Sequence, residues 1–418
     1  MDLVSIPKEV KGVLNRILDE GGQAYIVGGA LRDHIMGREI FDWDIATSLL
    51  PEEIEYKFKD MKIVTTGRRF GTMTVVTDRL PIEITTYRVE GDYRDFRRPD
   101  RVKFTPDIYE DLKRRDFTMN AMAFNPILKH RQFIDPYKGY KDIKKGIIRA
   151  VGNPHKRFCE DALRMMRAIR FMSELGFTIE DNTLDAIAEN SHLIKNISVE
   201  RIRDELNKTL LGSFPVNSIK TLYDSRLLTY IMPRATKYLD SPSIEHIASI
   251  ISRCDSNLLE RISALFLWTT KIEDGQVLLK KILRGLKYDN DTRRNVSNIF
   301  SAYNTAMVPS SPNIEYRLRK LMGSIGVDNT LIALRLKKYT NKDIKNLIQN
   351  VECILARKDP IHKSDLKIDG YDIISLGIGQ RDKRDIGRIL DTAYDWVLKD
   401  PNANNKDILL SRISNLDL

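Results

Sequence analysis

The sequence predicts an α+β protein in which an N-terminal head with a small mixed β-sheet is followed by a long all-α remainder. Two observations predict it. Up to about residue 150, short β-branched and aromatic runs alternate with turns and helical stretches, whereas beyond about residue 155 the apolar spacing is helical almost without interruption. With 418 residues, 42% hydrophobic and 30% charged, the chain holds enough apolar side chains for several small cores.

In chain order, the strand-like runs are "AYIV" (24–27), "FDWDIAT" (41–47), "KIVTT" (62–66), "GTMTVVT" (71–77) and "IEITTYR" (82–88). Between the first two lies "GGALRDHIM", a Gly-Gly step leading from strand into helix. The helical half is punctuated by starts and breaks at "GFTIEDNTLDAIAEN" (176–190), "SVERIRDELNKTLL" (198–211), "SPSIEHIASIISR" (241–253) and "SPNIEYRLRKLMGSIG" (311–326). Without a fixed-period repeat or a long Gly/Ser linker, these small helical modules are expected to pack directly on one another.

Lys and Arg number 68 against 58 Asp and Glu, a formal charge of +10 that leans toward a polyanionic partner. Residues 144–170, "KKGIIRAVGNPHKRFCEDALRMMRAIR", concentrate eight of the basic residues and read as a local patch. Three scattered cysteines, Cys159, Cys254 and Cys353, supply neither a disulfide framework nor a zinc knuckle. No secretory leader or membrane-length apolar run is visible, and a cytoplasmic location is expected.

The chemistry is expected where carboxylates and glycines meet. Asp42 and Asp44, two apart in an extended run, project to one face, and Glu83 on a later strand can pair beside them. Three acids on one sheet face repel and resist burial unless a cation lies among them. Oxygen-only ligands suit Mg2+. Taken alone, the same acids could be a solvated sheet edge. The Gly28–Gly29 step, opening a helix, can offer bare amides to a phosphate, with Arg32 as a positive fork. A phosphate cradle and paired acids ten residues apart point together to metal-assisted phosphoryl or nucleotidyl transfer.

Two further segments complete the candidate site. In "EDLKRRDFTMNAMAF" (110–124), Arg115 can hold phosphate and Asp116 can accept from a ribose hydroxyl. In "FCEDALRMMRAIRF" (158–171), Asp161 and Arg164 are expected as i, i+3 neighbours on one helix, with Arg167 and Arg170 continuing the polar stripe. A carboxylate accepts from an exocyclic amine and a guanidinium donates to ring acceptors, so the pair can admit C and A and reject U and G.

These residues resemble a known family. "GGALRD" with "DWD", "RRDFTMNAMA" and "EDALRMMR" look like the signature motifs of the class II, bacterial-type CCA-adding enzymes, within the DNA polymerase β nucleotidyltransferase superfamily, and "SVERIRDELNKTLL" resembles the next motif. The resemblance spans the whole chain. It implies a catalytic head at 1–148, a helical neck reading the base at 149–212, a helical body at 213–300 and a tRNA-binding helical tail at 301–418. It also implies Asp42 and Asp44 as Mg2+ ligands, with Glu83 as the third acid, and nucleotide contacts from Gly28, Gly29, Arg32, Arg115, Asp116, Asp161, Arg164, Arg167 and Arg170. The implied partners are tRNA, CTP and ATP, and the implied reaction is two-metal addition of C, C and A to the tRNA 3′ end.

Relatives also include enzymes adding only CC or only A, and poly(A) polymerases. The segment after Glu83, "VEGDYRDFRRPDR" (89–101), looks full length, unlike the shortened loop of CC-adding members, and favours an enzyme able to add A. The tail "KDPNANNKDILLSRISNLDL" has balanced charge, unlike the basic extension of bacterial poly(A) polymerases. Two readings of other kinds remain. A silent RNA-binding homologue is expected to have lost a metal acid or triphosphate ligand, and a small-molecule nucleotidyltransferase leaves the long helical half unexplained.

Overall fold

The structure, a computed structural model, describes residues 6–19, 21–90, 102–130, 132–305, 311, 313–340, 344–377 and 383–416. Of the loop that bears on A addition (89–101), residues 91–101 lie outside the described residues. The chain separates into two compact units, Met1–Ala248 and Ser249–Leu418.

The first unit opens with α1 (Lys8–Leu18), which buries Val10, Val13, Leu14 and Ile17, one apolar stripe at helical spacing. Each such side chain contributes roughly 1.5–3 kcal/mol on burial. Next come β1 (Ala24–Val27), α2 (Gly28–Met36), β2 (Trp43–Thr47), α3 (Pro51–Lys57), β3 (Lys62–Val64), β4 (Thr72–Val76) and β5 (Pro81–Thr86). All five strand-like runs of the sequence are therefore strands. A small ribbon, β6 (Arg88–Glu90) with β7 (Val102–Phe104), is followed by α4 (Ile108–Lys113) and two-residue strands β8 (Ala123–Phe124) and β9 (Phe133–Ile134).

The main sheet runs β3-β4-β5-β2-β1-β8-β9. It is mixed, as the sequence predicts: β2 and β5 pair parallel and their neighbours pair antiparallel. Tyr25, Val27, Ala46, Tyr87, Ile108, Leu112, Ala123 and Ile134 form one core cluster in this unit.

Helices follow: α5 (Gly139–Lys145), then, after strand β10 (Ile147–Ile148), α6 (Pro154–Glu160) and α7 (Leu163–Leu175). After strand β11 (Thr178–Ile179) come α8 (Asp181–Asn190) and α9 (Val199–Leu211), the latter packing along α7. Asn153 caps α6 by accepting from Lys156 N, with Pro154 at the first helical position. One expectation is corrected here. Asp161 is not helical: it has φ −141° and ψ 103° and separates α6 from α7. Its Oδ1 accepts from Leu163 N at 3.0 Å, an aspartate capping the start of the next helix.

Among the described residues of the second unit every regular element is a helix. Ile314, Leu318, Met322, Leu347, Val351 and Ile354 build one core, and Ile373, Ile389, Val397, Leu409 and Ile413 another. Arg335 closes on the fully buried Glu260 at 2.7 Å.

Candidate active site

Asp44 stands on β2, the strand between β5 and β1, in direct register with Glu83 of β5. Paired residues of neighbouring strands project to the same sheet face, so these two carboxylates share a side. Asp42 lies two residues earlier, exposed, just before the strand begins. Burial first, then Glu83 and Asp42, push Asp44 up to about 6, against the opposing pull of Arg115 and Arg32. Burial and Asp42 raise Glu83 as well, against Arg88. Among the described residues no three acid, imidazole or thiolate side chains are gathered ready-made around one point. The acids thus stay apart but repel, the nearby arginines offset that repulsion only in part, and the all-oxygen donors fit a divalent cation.

Beside them, β1 turns into α2 at Gly28, whose φ of 65° is in the left-handed region that favours glycine. A Cβ there would stand 3.2 Å from Arg115 Nη1 and 3.3 Å from Asp44 Oδ2. Glycine therefore lets the backbone approach both a cation and an acid. Arg32, one turn along α2, is buried; it donates to Asn120 Oδ1 at 3.0 Å and pairs with Asp33 at 2.8 Å.

Within α4, the fully buried Asp111 grips the two arginines that follow the helix, Arg114 at 2.8 Å and Arg115 at 3.0 Å. Burial opposes its ionisation, yet the two guanidiniums outweigh burial and hold it below the usual carboxylate range. Asp116 is also engaged. Its Oδ1 accepts from Phe117 N and Asn120 Nδ2, and its Oδ2 accepts from Arg167 Nε and Nη2 at 2.8 and 2.6 Å. Burial again works against ionisation, and Arg167, Asn120 and Arg164 together keep Asp116 well below its ordinary value.

Between α6 and α7, the extended Asp161 offers its Oδ2 to Arg201 of α9 at 3.1 Å. Arg164 is held by Glu160 at 2.8 Å, by the Arg157 carbonyl at 3.2 Å and by the Arg114 carbonyl at 2.9 Å. Its guanidinium is thus fixed before any ligand arrives.

A cleft of about 330 Å3 joins these groups, and Gly28, Gly29, Asp44, Arg115, Asp116, Asp161, Arg164 and Arg167 are in its wall. Asp42, Glu83, Arg32 and Arg170 are not. Arg170 is drawn to α9 and its own helix by Glu205 at 2.7 Å and Glu174 at 2.8 Å. Arg114, Asn120, Leu163 and Arg201 complete the wall and were not singled out from the sequence as binding residues. Arg201 Nη1 is buried without a hydrogen-bond partner among the described residues. The signal for Arg201 was its place in "SVERIRDELNKTLL", but nothing local distinguishes it from Arg203.

A family model described as the Poly A polymerase head domain matches residues 24–149, and one described as the probable RNA and SrmB-binding site of polymerase A matches residues 176–239. The CCA-adding enzyme of Ligilactobacillus salivarius is 36% identical over 420 residues, covering 100% of this chain and 99% of that one. Among solved structures, the Bacillus stearothermophilus CCA-adding enzyme in complex with CTP is 30% identical with a TM-score of 0.80, covering 97% of this chain and 96% of that one. The Thermotoga maritima CCA-adding enzyme complexed with tRNA shares the fold at 22% identity and a TM-score of 0.70, covering 98% and 95%.

Proposed function

Because this chain belongs to the family of CCA-adding enzymes, we infer that it adds C, C and A to the 3′ end of tRNA from CTP and ATP. It is a tRNA nucleotidyltransferase. In each step the terminal hydroxyl oxygen of the tRNA bonds to the α-phosphorus, the bond to the β-phosphate oxygen breaks, and pyrophosphate leaves. The observation that carries the reading is the single cleft that joins the strand-to-helix turn and Asp44 to Asp161 and Arg164.

Asp42 and Asp44, with Glu83 alongside, would hold two Mg2+ ions, whose contribution when bound is activation of the 3′-hydroxyl and neutralisation of charge at the α-phosphate. Gly28 and Gly29 supply close backbone approach to the triphosphate, and Arg32 and Arg115 supply positive charge behind it. Asp116 orients Arg167, and it serves the ribose hydroxyl by exchanging one of the four hydrogen bonds it already accepts. Asp161 accepts from the exocyclic amine of C or A, and Arg164 donates to the adjoining ring acceptor. Arg170 supports the recognition helix through Glu205. Recognition of tRNA rests on backbone and shape, since one enzyme serves many tRNA sequences, and this substrate supports a cytoplasmic site of action.

The test uses three tRNA transcripts, one lacking CCA, one ending in C and one ending in CC, with CTP and ATP given separately and together. CTP alone should extend the first by two residues and the second by one, then stop; ATP alone should extend only the third. Extension of the CC-ending transcript alone would assign an A-adding specialist, and runs of A would assign a poly(A) polymerase.

A further inference from the structure

Phe171 of α7 is only 3% exposed, and it is ringed by guanidinium groups. Arg170 Cζ lies 4.0 Å from the ring centroid, Arg32 Cζ 5.0 Å and Arg167 Cζ 5.4 Å. Phe117 meets the ring edge-on, with centroids 5.8 Å apart and planes at 88°. These neighbours come from different elements around the cleft. Arg32 belongs to α2 and underlies the glycine turn, where a Cβ on Gly29 would stand 3.6 Å from Arg32 Nη2. Arg167 holds Asp116, and Phe117 donates its N–H to that same carboxylate. On α7 itself, Arg164, Arg167 and Phe171 recur at i, i+3 and i+7, one helix face.

An ordinary apolar plug would fill this space without needing a π face. The cations already have carboxylates: Arg32 has Asp33, Arg167 has Asp116, and Arg170 has Glu174 and Glu205. Those pairs leave the mutual repulsion of three guanidiniums that converge on one ring. The negative face of an aromatic ring offsets that repulsion.

We propose that Phe171 is a positioning residue that pins Arg32 against the helix carrying Arg164, so that the phosphate end and the base end of the nucleotide are held in register. The inference rests on the reading of Arg32 as a phosphate ligand and Arg164 as a base reader. It adds a coupling between them. Loosening the ring should then weaken nucleotide binding and blunt base choice together, although Phe171 touches neither end of the nucleotide.

The experiment replaces Phe171 in the full chain by 4-fluoro-, 3,4,5-trifluoro- and pentafluorophenylalanine, which keep the shape while progressively removing the negative face. Phe171→Leu is a fourth variant and Arg32→Ala a control. KM for CTP and ATP should rise stepwise along the series to about tenfold, the scale of a desolvated cation–π contact. Incorporation of UTP relative to CTP should rise in parallel, with KM for tRNA unchanged and the fluorinated variants still folded at the assay temperature. A flat series, with Phe171→Leu lowering only the thermal midpoint, overturns the coupling if Arg32→Ala still raises KM for nucleotides. If Arg32→Ala leaves that KM unchanged, the assignment of Arg32 fails and the coupling fails with it.

Discussion

Asp44 and Asp116 line one cleft, yet their surroundings drive them in opposite directions. Asp44 is raised from 3.8 to about 6 by burial, Glu83 and Asp42, so between those values the folded protein binds a proton that the unfolded chain does not. Stability contributed through Asp44 therefore falls as pH rises from about 4 to 6 in metal-free protein. Asp116 is depressed against burial by Arg167 and Asn120, and its contribution is present above the ordinary carboxylate range and lost as pH falls. Asp44→Asn should accordingly stabilise the metal-free protein at pH 7.5 by on the order of 1 kcal/mol. It should also cost at least about a hundredfold in nucleotide addition. Asp116→Asn should destabilise by about 3 kcal/mol, because Arg167 loses the anion that closes on it. Urea unfolding at a series of pH values in EDTA, with single-turnover addition in Mg2+, checks both signs; a loss of stability in Asp44→Asn at pH 7.5 would refute the account of Asp44.

At the scale of elements, the decisive piece is the turn from β1 into α2. Gly28→Ala forces a side chain into the left-handed region, at roughly 1 kcal/mol, and sets its methyl against Arg115 and Asp44. Gly29→Ala meets only the end of Arg32 at 3.6 Å. KM for CTP and ATP should therefore rise strongly in the first variant and mildly in the second, and steady-state kinetics on a tRNA primer separates them; equal effects would mean that backbone approach at Gly28 is not what matters. This turn was legible in the sequence, and so were the five strands, because β-branched runs bounded by turns leave few alternatives. β8 and β9 were not, since two-residue strands carry no period. Nor was the break at Asp161: "FCEDALRMMR" has no Gly or Pro, and the interruption comes from a side-chain cap and from Arg201, forty positions away. The pairing of Asp44 with Glu83 was readable only as a possibility, because strand register depends on the whole sheet.

For the whole molecule, the sequence located positive charge in residues 144–170, and the fold redistributes it. Arg149, Arg157, Arg164, Arg167 and Arg170 are each ion-paired within the first unit. Lys144, Lys145 and Lys156 have no carboxylate partner among the described residues. The second unit, by contrast, has a groove of about 520 Å3 lined by Lys280, Lys281, Arg284, Arg293 and Arg294. Binding of tRNA should weaken at least about a hundredfold between roughly 50 and 200 mM salt. The double variant Lys280→Ala, Arg284→Ala should flatten that dependence more than Lys144→Ala, Lys145→Ala does. Filter-binding isotherms across salt concentrations measure both slopes, and an affinity indifferent to salt would contradict the account. The order of the strands also sets a clock on synthesis. As the chain leaves the ribosome, β1 remains an open edge until Ala123 and Phe124 emerge to pair with Val27 and Ile26, and the cleft wall is incomplete until Arg201 follows. At about 5–20 residues per second that takes roughly ten to forty seconds. Throughout that interval the nascent protein, surrounded by the tRNAs of translation, lacks a finished place for a nucleotide and cannot yet extend their 3′ ends.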